Sequence, residues 1–182
     1  MSQHSQNLIL LIPLLLAVTG GCGKTEESVF QVTAHRGASG LAPENTIAAI
    51  REAIKYRANY AEIDVHLTAD GEMVLMHDES VNRTTDGTGN IGELTLEDLE
   101  SLDAGSWFSE TFAGEPVPTL RDVIRLASGK IKLNIEIKVS EEEPDIASAV
   151  VGIIRPENFT QSCMVTSSTG RRLKRSGGLL QR

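Results

Sequence analysis

In the stretch YAEIDVHLTADGEMVLMHD, Tyr60 to Asp78, four ionisable residues fall at positions where they could share a centre. The stretch reads as two short strands around a TADG turn, and strand side chains alternate faces with period two. Glu62, Asp64 and His66 therefore share one side of the first strand, against apolar Ala61, Ile63, Val65 and Leu67, and His77 ends the second strand. The same alternation runs through KIKLNIEIK, where Lys132, Asn134, Glu136 and Lys138 oppose Ile131, Leu133, Ile135 and Ile137. An isolated E-x-D on a strand is usually a solvated edge, but its repetition on a second strand points to a site.

Glu62, Asp64 and Glu136 brought to one centre would repel one another, and at least one would have to take up a proton. A divalent cation removes that difficulty, and an all-oxygen set suits Mg²⁺ or Ca²⁺ better than zinc. His35 and His77 both end strands on the side of that cluster, so a pair of imidazoles could act as base and acid across a scissile bond. Arg36 and Lys138 stand next in sequence to these groups and suit the holding of a phosphate. His66 reads as a group supporting the ligands or the fold, and Glu44 as loop chemistry with a possible part in the site.

The elements that must position these groups alternate between strand and helix. A strand is expected over Val29–His35, then a turn-rich loop over Arg36–Asn45. Asn45 is expected to cap a helix reaching Tyr56, with Ile47, Ile50 and Ile54 at helical spacing. Strands follow over Tyr60–Leu67 and Glu72–His77. Next come a short helix over Leu96–Leu102 opened by Thr95 and an amphipathic helix on Leu120, Val123, Ile124 and Ala127. A strand over Lys130–Lys138, a helix over Pro144–Ile154 and a fifth strand over Ser162–Ser168 complete the series. This alternation indicates a parallel α/β architecture. A doubly wound sheet would make both strand faces apolar. Here one face is polar, which suits a barrel of the (β/α)8 type with its site at one end of the strands.

The remaining composition narrows the function. A net charge of −8 argues against a nucleic-acid partner, and the basic cluster RRLKR at Arg171 to Arg175 reads as a solvated helix face. Two cysteines, Cys22 and Cys163, exclude a disulfide scaffold and a CxxC metal site. The apolar run Leu8–Val18 is too short for the roughly 20 residues that span a bilayer, but it suits the core of a secretion signal. Small residues then lead to Cys22, as in a bacterial lipoprotein signal whose cleavage exposes the cysteine for lipid attachment. Residues 1–7 carry no Lys or Arg and Thr19 stands where such signals usually carry Leu, so a plain cleaved signal with Cys22 incidental is the competing reading. On either reading the protein is exported to the cell envelope: residues 1–22 are the signal, 23–28 a polar linker and 29–182 the folded domain.

The segments AHRGASGLAPENT, AEIDVHLTADGEMVLMHDESVNRTTDGTG and NIEIK, with LDAGSWF and VPTLRDVI between them, resemble the glycerophosphodiester phosphodiesterase family in order and spacing from about Val32 to Lys138. The resemblance implies a TIM barrel that cleaves glycerophosphodiesters to glycerol 3-phosphate and an alcohol with Ca²⁺ or Mg²⁺. It implies metal ligation by Glu62, Asp64 and Glu136, catalysis by His35 and His77, and phosphate contacts from Arg36 and Lys138. Residues 78–116 match that family's small insertion after the second strand. The barrel is expected to be incomplete, about its first five strands. Roughly 160 residues follow the signal, against about 250 in the complete fold, and the match weakens after Gln161. A truncated or frame-interrupted copy is the simplest reading of that ending, with completion by dimerisation the other. Two further functions compete: an inert surface lipoprotein that binds a cation, and a related phospholipase acting on lysophospholipid or sphingomyelin.

Overall fold

The computed structural model describes residues 30–138 and 146–167. The signal with Cys22, the linker, residues 139–145 with the expected helix start at Pro144, and the basic cluster near the C-terminus lie outside the described residues. Strand β1 is Thr33–Ala34, helix α1 Ile47–Lys55, β2 Tyr60–Leu67 and β3 Met73–Leu75. Helix α2 is Leu96–Glu100, α3 Leu120–Ala127, β4 Lys132–Ile137, α4 Ile146–Ile154 and β5 Cys163–Ser167. Single turns of 3₁₀ helix at Ile91–Glu93, Glu110–Phe112 and Thr160–Ser162 join them.

The sheet runs β1-β2-β4-β5 with every neighbour parallel. Among the described residues it forms an open arc with helices between its strands, part of an α/β barrel. The strand β3 departs from that pattern. It pairs antiparallel with the last three residues of β2, Val65 facing Leu75 and Leu67 facing Met73. It lies on the edge of β2 whose first two residues pair with β1. Among the described residues there are five strands, the number expected, but four form the parallel arc and β3 folds back beside the site. Its short turn explains why: Thr68 to Gly71 reverses the chain with Gly71 at φ +85°, where a glycine pays no steric cost.

The period-two pattern holds in β4, whose Leu133, Ile135 and Ile137 are buried while Asn134 and Glu136 are half-buried and Lys132 is exposed. The apolar faces of β2 and β4 pack with Ile50 and Ala53 of α1, Val123, Ile124 and Ala127 of α3, and Val150 and Ile154 of α4. Each fully buried Val, Leu or Ile side chain among them contributes about 1.5–3 kcal/mol. Val74 of β3 and residues beyond it, Met76, Val81, Ile91, Leu99, Ala104 and Val117, gather a second, smaller core. The segment 78–116 thus has packing of its own and is held as a body beside the sheet. Capping boxes open both α2 (Thr95 with Asp98) and α3 (Thr119 with Asp122). No described helix is long and apolar enough to cross a membrane.

Two local expectations differ. Helix α1 is capped by Thr46, whose hydroxyl accepts the Ala49 N–H, and Asn45 stands one residue outside with φ +56°. Strand β1, expected over Val29–His35, is Thr33–Ala34, and it ends there because the chain turns at Arg36 (φ +49°) and Gly37 (φ +80°). That turn brings Gly37 so close to α1 that an added Cβ would lie 2.6 Å from the Ala49 Cβ. Gly37→Ala is therefore expected to destabilise the fold by about 2 kcal/mol or more. Urea unfolding followed by far-ultraviolet circular dichroism measures this, and Gly92→Ala, which meets open space, serves as the control.

Candidate active site

Parallel pairing of β2 with β4 sets Glu62 beside Asn134 and Asp64 beside Glu136. Because alternate residues share a face, this register turns all three acids to the polar side of the sheet. One oxygen from each of Glu62, Asp64 and Glu136 lies within 4.8 Å of the others. Asp64 is 1 % and Glu62 7 % exposed, which puts two carboxylates largely out of water. Burial pushes the Glu62 carboxyl up, the Arg36 N–H it accepts opposes this, and the charges of Asp64 and Glu136 add to the rise.

Positive groups converge on the same place. The Lys138 ammonium lies 2.9 Å from Asp64 Oδ1 and 2.7 Å from Glu136 Oε1. Burial alone would lower its affinity for the proton, but the hydrogen bonds to Glu136 and Asp64 raise it instead. The turn after β1 directs the Arg36 N–H onto Glu62 Oε2 at 2.7 Å and the Gly37 N–H onto the Glu62 carbonyl at 2.8 Å. Arg36 then reaches Glu44 through Nη1 at 2.9 Å, with Nε 3.7 Å from Asp64 Oδ2. That Nε is buried and has no hydrogen-bond partner.

The two histidines arrive from different directions. His35 is largely exposed, with Nε2 3.9 Å from Glu62 Oε2. His77 is carried by β3, whose next residue, Met76, donates its N–H to the Asp64 carbonyl at 3.2 Å. Antiparallel pairing therefore returns His77 alongside the middle of β2 rather than to the far end of a parallel strand. Its Nδ1 lies 2.8 Å from Asp78 Oδ1. Hydrogen bonds from Arg83 hold the Asp78 carboxyl far below its ordinary range, so Asp78 is an acceptor and His77 Nδ1–H the donor. His66 is pushed down by burial, and its Nε2–H reaches the His77 carbonyl at 3.3 Å, so it braces the backbone there.

The structure thus gathers Glu62, Asp64, Glu136, Arg36, Lys138 and His35, with His77 on the adjoining strand, while Cys22 lies outside the described residues. The sequence points to Asn45 only as a helix cap, not as a site residue. Its side chain donates to Asp64 Oδ2 at 2.9 Å and accepts the Asp64 N–H at 3.1 Å, a two-point clamp. Asp78 and Arg83 were passed over. A signal existed in HDESVNR, an acid and a base five residues apart directly after a candidate histidine.

The donor set fits a hard cation. All three candidate ligands offer carboxylate oxygens, and their mutual repulsion, which adds to burial in raising Glu62, is what a divalent ion would relieve.

Residues 35–158 match the model of the glycerophosphoryl diester phosphodiesterase family. The chain belongs to this family. It is 45 % identical over 138 residues to a glycerophosphodiester phosphodiesterase of Caldanaerobacter subterraneus, covering 75 % of this chain and 57 % of that protein. Among solved structures, the glycerophosphodiester phosphodiesterase of Agrobacterium tumefaciens superposes with a TM-score of 0.70 at 36 % identity, over 76 % of this chain and 58 % of the other. The phosphodiesterase of Oleispira antarctica, in complex with the product sn-glycerol-3-phosphate, gives a TM-score of 0.70 at 38 % identity, over 76 % and 57 %. The chain spans a little under three fifths of each of these proteins. The fold class is that of these family members, a TIM barrel, of which the described arc is a part.

The strain in the acidic cluster has a measurable consequence. Glu62 takes up its proton at a higher pH in the folded chain than in the unfolded one, so its ionised form costs stability at neutral pH, and acidification relieves that cost. In chelator, Glu62→Gln is expected to melt about 2–4 °C higher than the parent at pH 7. The difference should shrink as pH falls and Glu62 takes up its proton. An unchanged or lower melting temperature at pH 7 would show that Glu62 carries no such cost.

Proposed function

We propose that the protein hydrolyses glycerophosphodiesters to glycerol 3-phosphate and an alcohol, with one divalent cation, Ca²⁺ or Mg²⁺. The observation that carries this reading is the convergence of three carboxylates with Arg36 and Lys138 on one polar face of the sheet. Such a centre suits a phosphodiester, because it offers an anionic pocket for a cation beside cationic donors for the phosphoryl oxygens.

Glu62, Asp64 and Glu136 would hold the cation, which supplies Lewis-acid polarisation of the phosphoryl group when bound. Arg36 and Lys138 hold the phosphate, and the unsatisfied Arg36 Nε is a donor that a phosphoryl oxygen would complete. One of His35 and His77 takes the proton from the attacking hydroxyl or water. The other gives a proton to the oxygen of the departing alcohol as its bond to phosphorus breaks. Asn45 keeps Asp64 in one orientation throughout.

From the N-terminal residues alone we further propose that the protein is exported and works at the bacterial cell envelope, tethered through lipidated Cys22.

The test is release of glycerol 3-phosphate from glycerophosphocholine by the 182-residue chain, with lysophosphatidylcholine and sphingomyelin as comparison substrates. Ca²⁺ or Mg²⁺ is expected to support release and to raise the melting temperature, with EDTA abolishing both effects. His35→Ala and His77→Ala are each expected to cut kcat about 10²- to 10⁴-fold. Equal release by the variants would remove the catalytic assignment, and cation binding with no turnover by the parent would favour an inert binding protein. Faster turnover of the lipid substrates would favour the phospholipase reading.

A further inference from the structure

Four ionised side chains and one imidazole form an unbroken line beside the acidic cluster. Arg36 Nη1 donates to Glu44 Oε1 at 2.9 Å. Arg83 grips the same carboxylate, Nη2 to Oε1 at 2.7 Å and Nη1 to Oε2 at 3.1 Å. Its other edge grips Asp78, Nε to Oδ2 at 2.7 Å and Nη2 to Oδ1 at 3.1 Å. Asp78 Oδ1 in turn receives His77 Nδ1–H at 2.8 Å. One guanidinium therefore makes two-point contacts with two carboxylates, a match of planar fork to planar acceptor that an ammonium cannot reproduce.

The line is fixed at its middle. Val81 is fully buried and Thr84 3 % exposed, so the backbone on either side of Arg83 is anchored in the second core. The Thr84 hydroxyl also donates to the sulfur of Met76, the residue before His77, at 2.9 Å. Burial pushes Glu44 up, but hydrogen bonds from Arg83 and Arg36 more than reverse it. Both carboxylates that Arg83 holds are thus acceptors at neutral pH.

We propose that Arg83 is a positioning residue for His77. By clamping Asp78 it fixes an acceptor against Nδ1–H and so selects the imidazole tautomer in which Nε2 is free to exchange a proton. By sharing Glu44 with Arg36 it holds that imidazole in a constant relation to the phosphate-holding guanidinium. Without the clamp, Asp78 can rotate, both tautomers become populated, and only a fraction of molecules present a competent Nε2. This rests on the reading of His77 as acid or base given above.

Nitrogen-edited NMR of the imidazoles in the 182-residue chain tests it, since the sequence has four histidines and His77→Asn assigns the signal. The neutral His77 ring is expected to be a single Nδ1–H tautomer in the parent and a mixture in Arg83→Met. In Asp78→Asn the retained Arg83 should draw the amide oxygen to itself, turn the amide NH₂ toward the ring and shift it to the Nε2–H tautomer. In turnover, Arg83→Met is expected to lower kcat about tenfold or more, with KM changed less than threefold and Arg83→Lys intermediate. It should cause no further loss in a His77→Asn background. A melt reports whether each variant folds, and Asp78→Asn decides the matter if Arg83→Met does not. An unchanged His77 tautomer in folded Arg83→Met, or an equal loss with and without His77, overturns the proposal. The tautomer readout needs no turnover. An inactive parent whose His77 tautomer depends on Arg83 would sink the hydrolase reading and leave the positioning role standing.

Discussion

Asp64 beside Glu136 on two parallel strands, with Glu62 two residues before, is an arrangement that resists being built. Like charges at this separation, with Asp64 and Glu62 largely out of water, repel strongly unless something of opposite sign intervenes. Much of the surrounding structure answers that constraint. Lys138 bridges two of the three acids, the Arg36 N–H is aimed at the third, and the Arg36 side chain approaches Asp64. Asn45 takes up the remaining freedom of Asp64 with a hydrogen bond in each direction.

These requirements shape the backbone as well as the side chains. Arg36 and Asn45 both adopt positive φ, which non-glycine residues seldom do, and each then contacts Asp64 or Glu62. Such strain persists where the surroundings overdetermine it. The opposite face of the same strands supplies that support. Ile63, Leu133, Ile135 and Ile137 are fully buried against the helices, so the sheet that carries the acids is held by packing on its other side. Stability and chemistry are divided between the two faces of each strand.

The segment after β3 adds a third element. Its own apolar cluster lets it stand beside the sheet as a packed unit, and it delivers Asp78 and Arg83 to a loop that belongs to the first βα connection. Glu44 and Arg83 are 39 residues apart in sequence yet share a two-point ion pair. A guanidinium that spans two carboxylates from different parts of the chain couples the position of one loop to that of the other.

What was legible in the sequence was whatever depends on spacing within one element. The alternation in AEIDVHL and NIEIK assigns Glu62, Asp64 and Glu136 to polar faces because a strand has no other way to place them. Thr95 announces the start of α2 because its capping partner Asp98 is three residues away. The quoted motifs were also enough to identify the family. The antiparallel course of β3, the displacement of the cap of α1 from Asn45 to Thr46, and the Glu44–Arg83–Asp78 line were not legible. Each is decided by contacts between segments distant in sequence, where many partners are chemically equivalent and only the packed chain selects one. The sequence by itself determined which residues could do chemistry and which face of its strand each would take. Only the tertiary structure decided which of them meet, because strand register and loop docking are set by long-range packing that local periodicity does not encode.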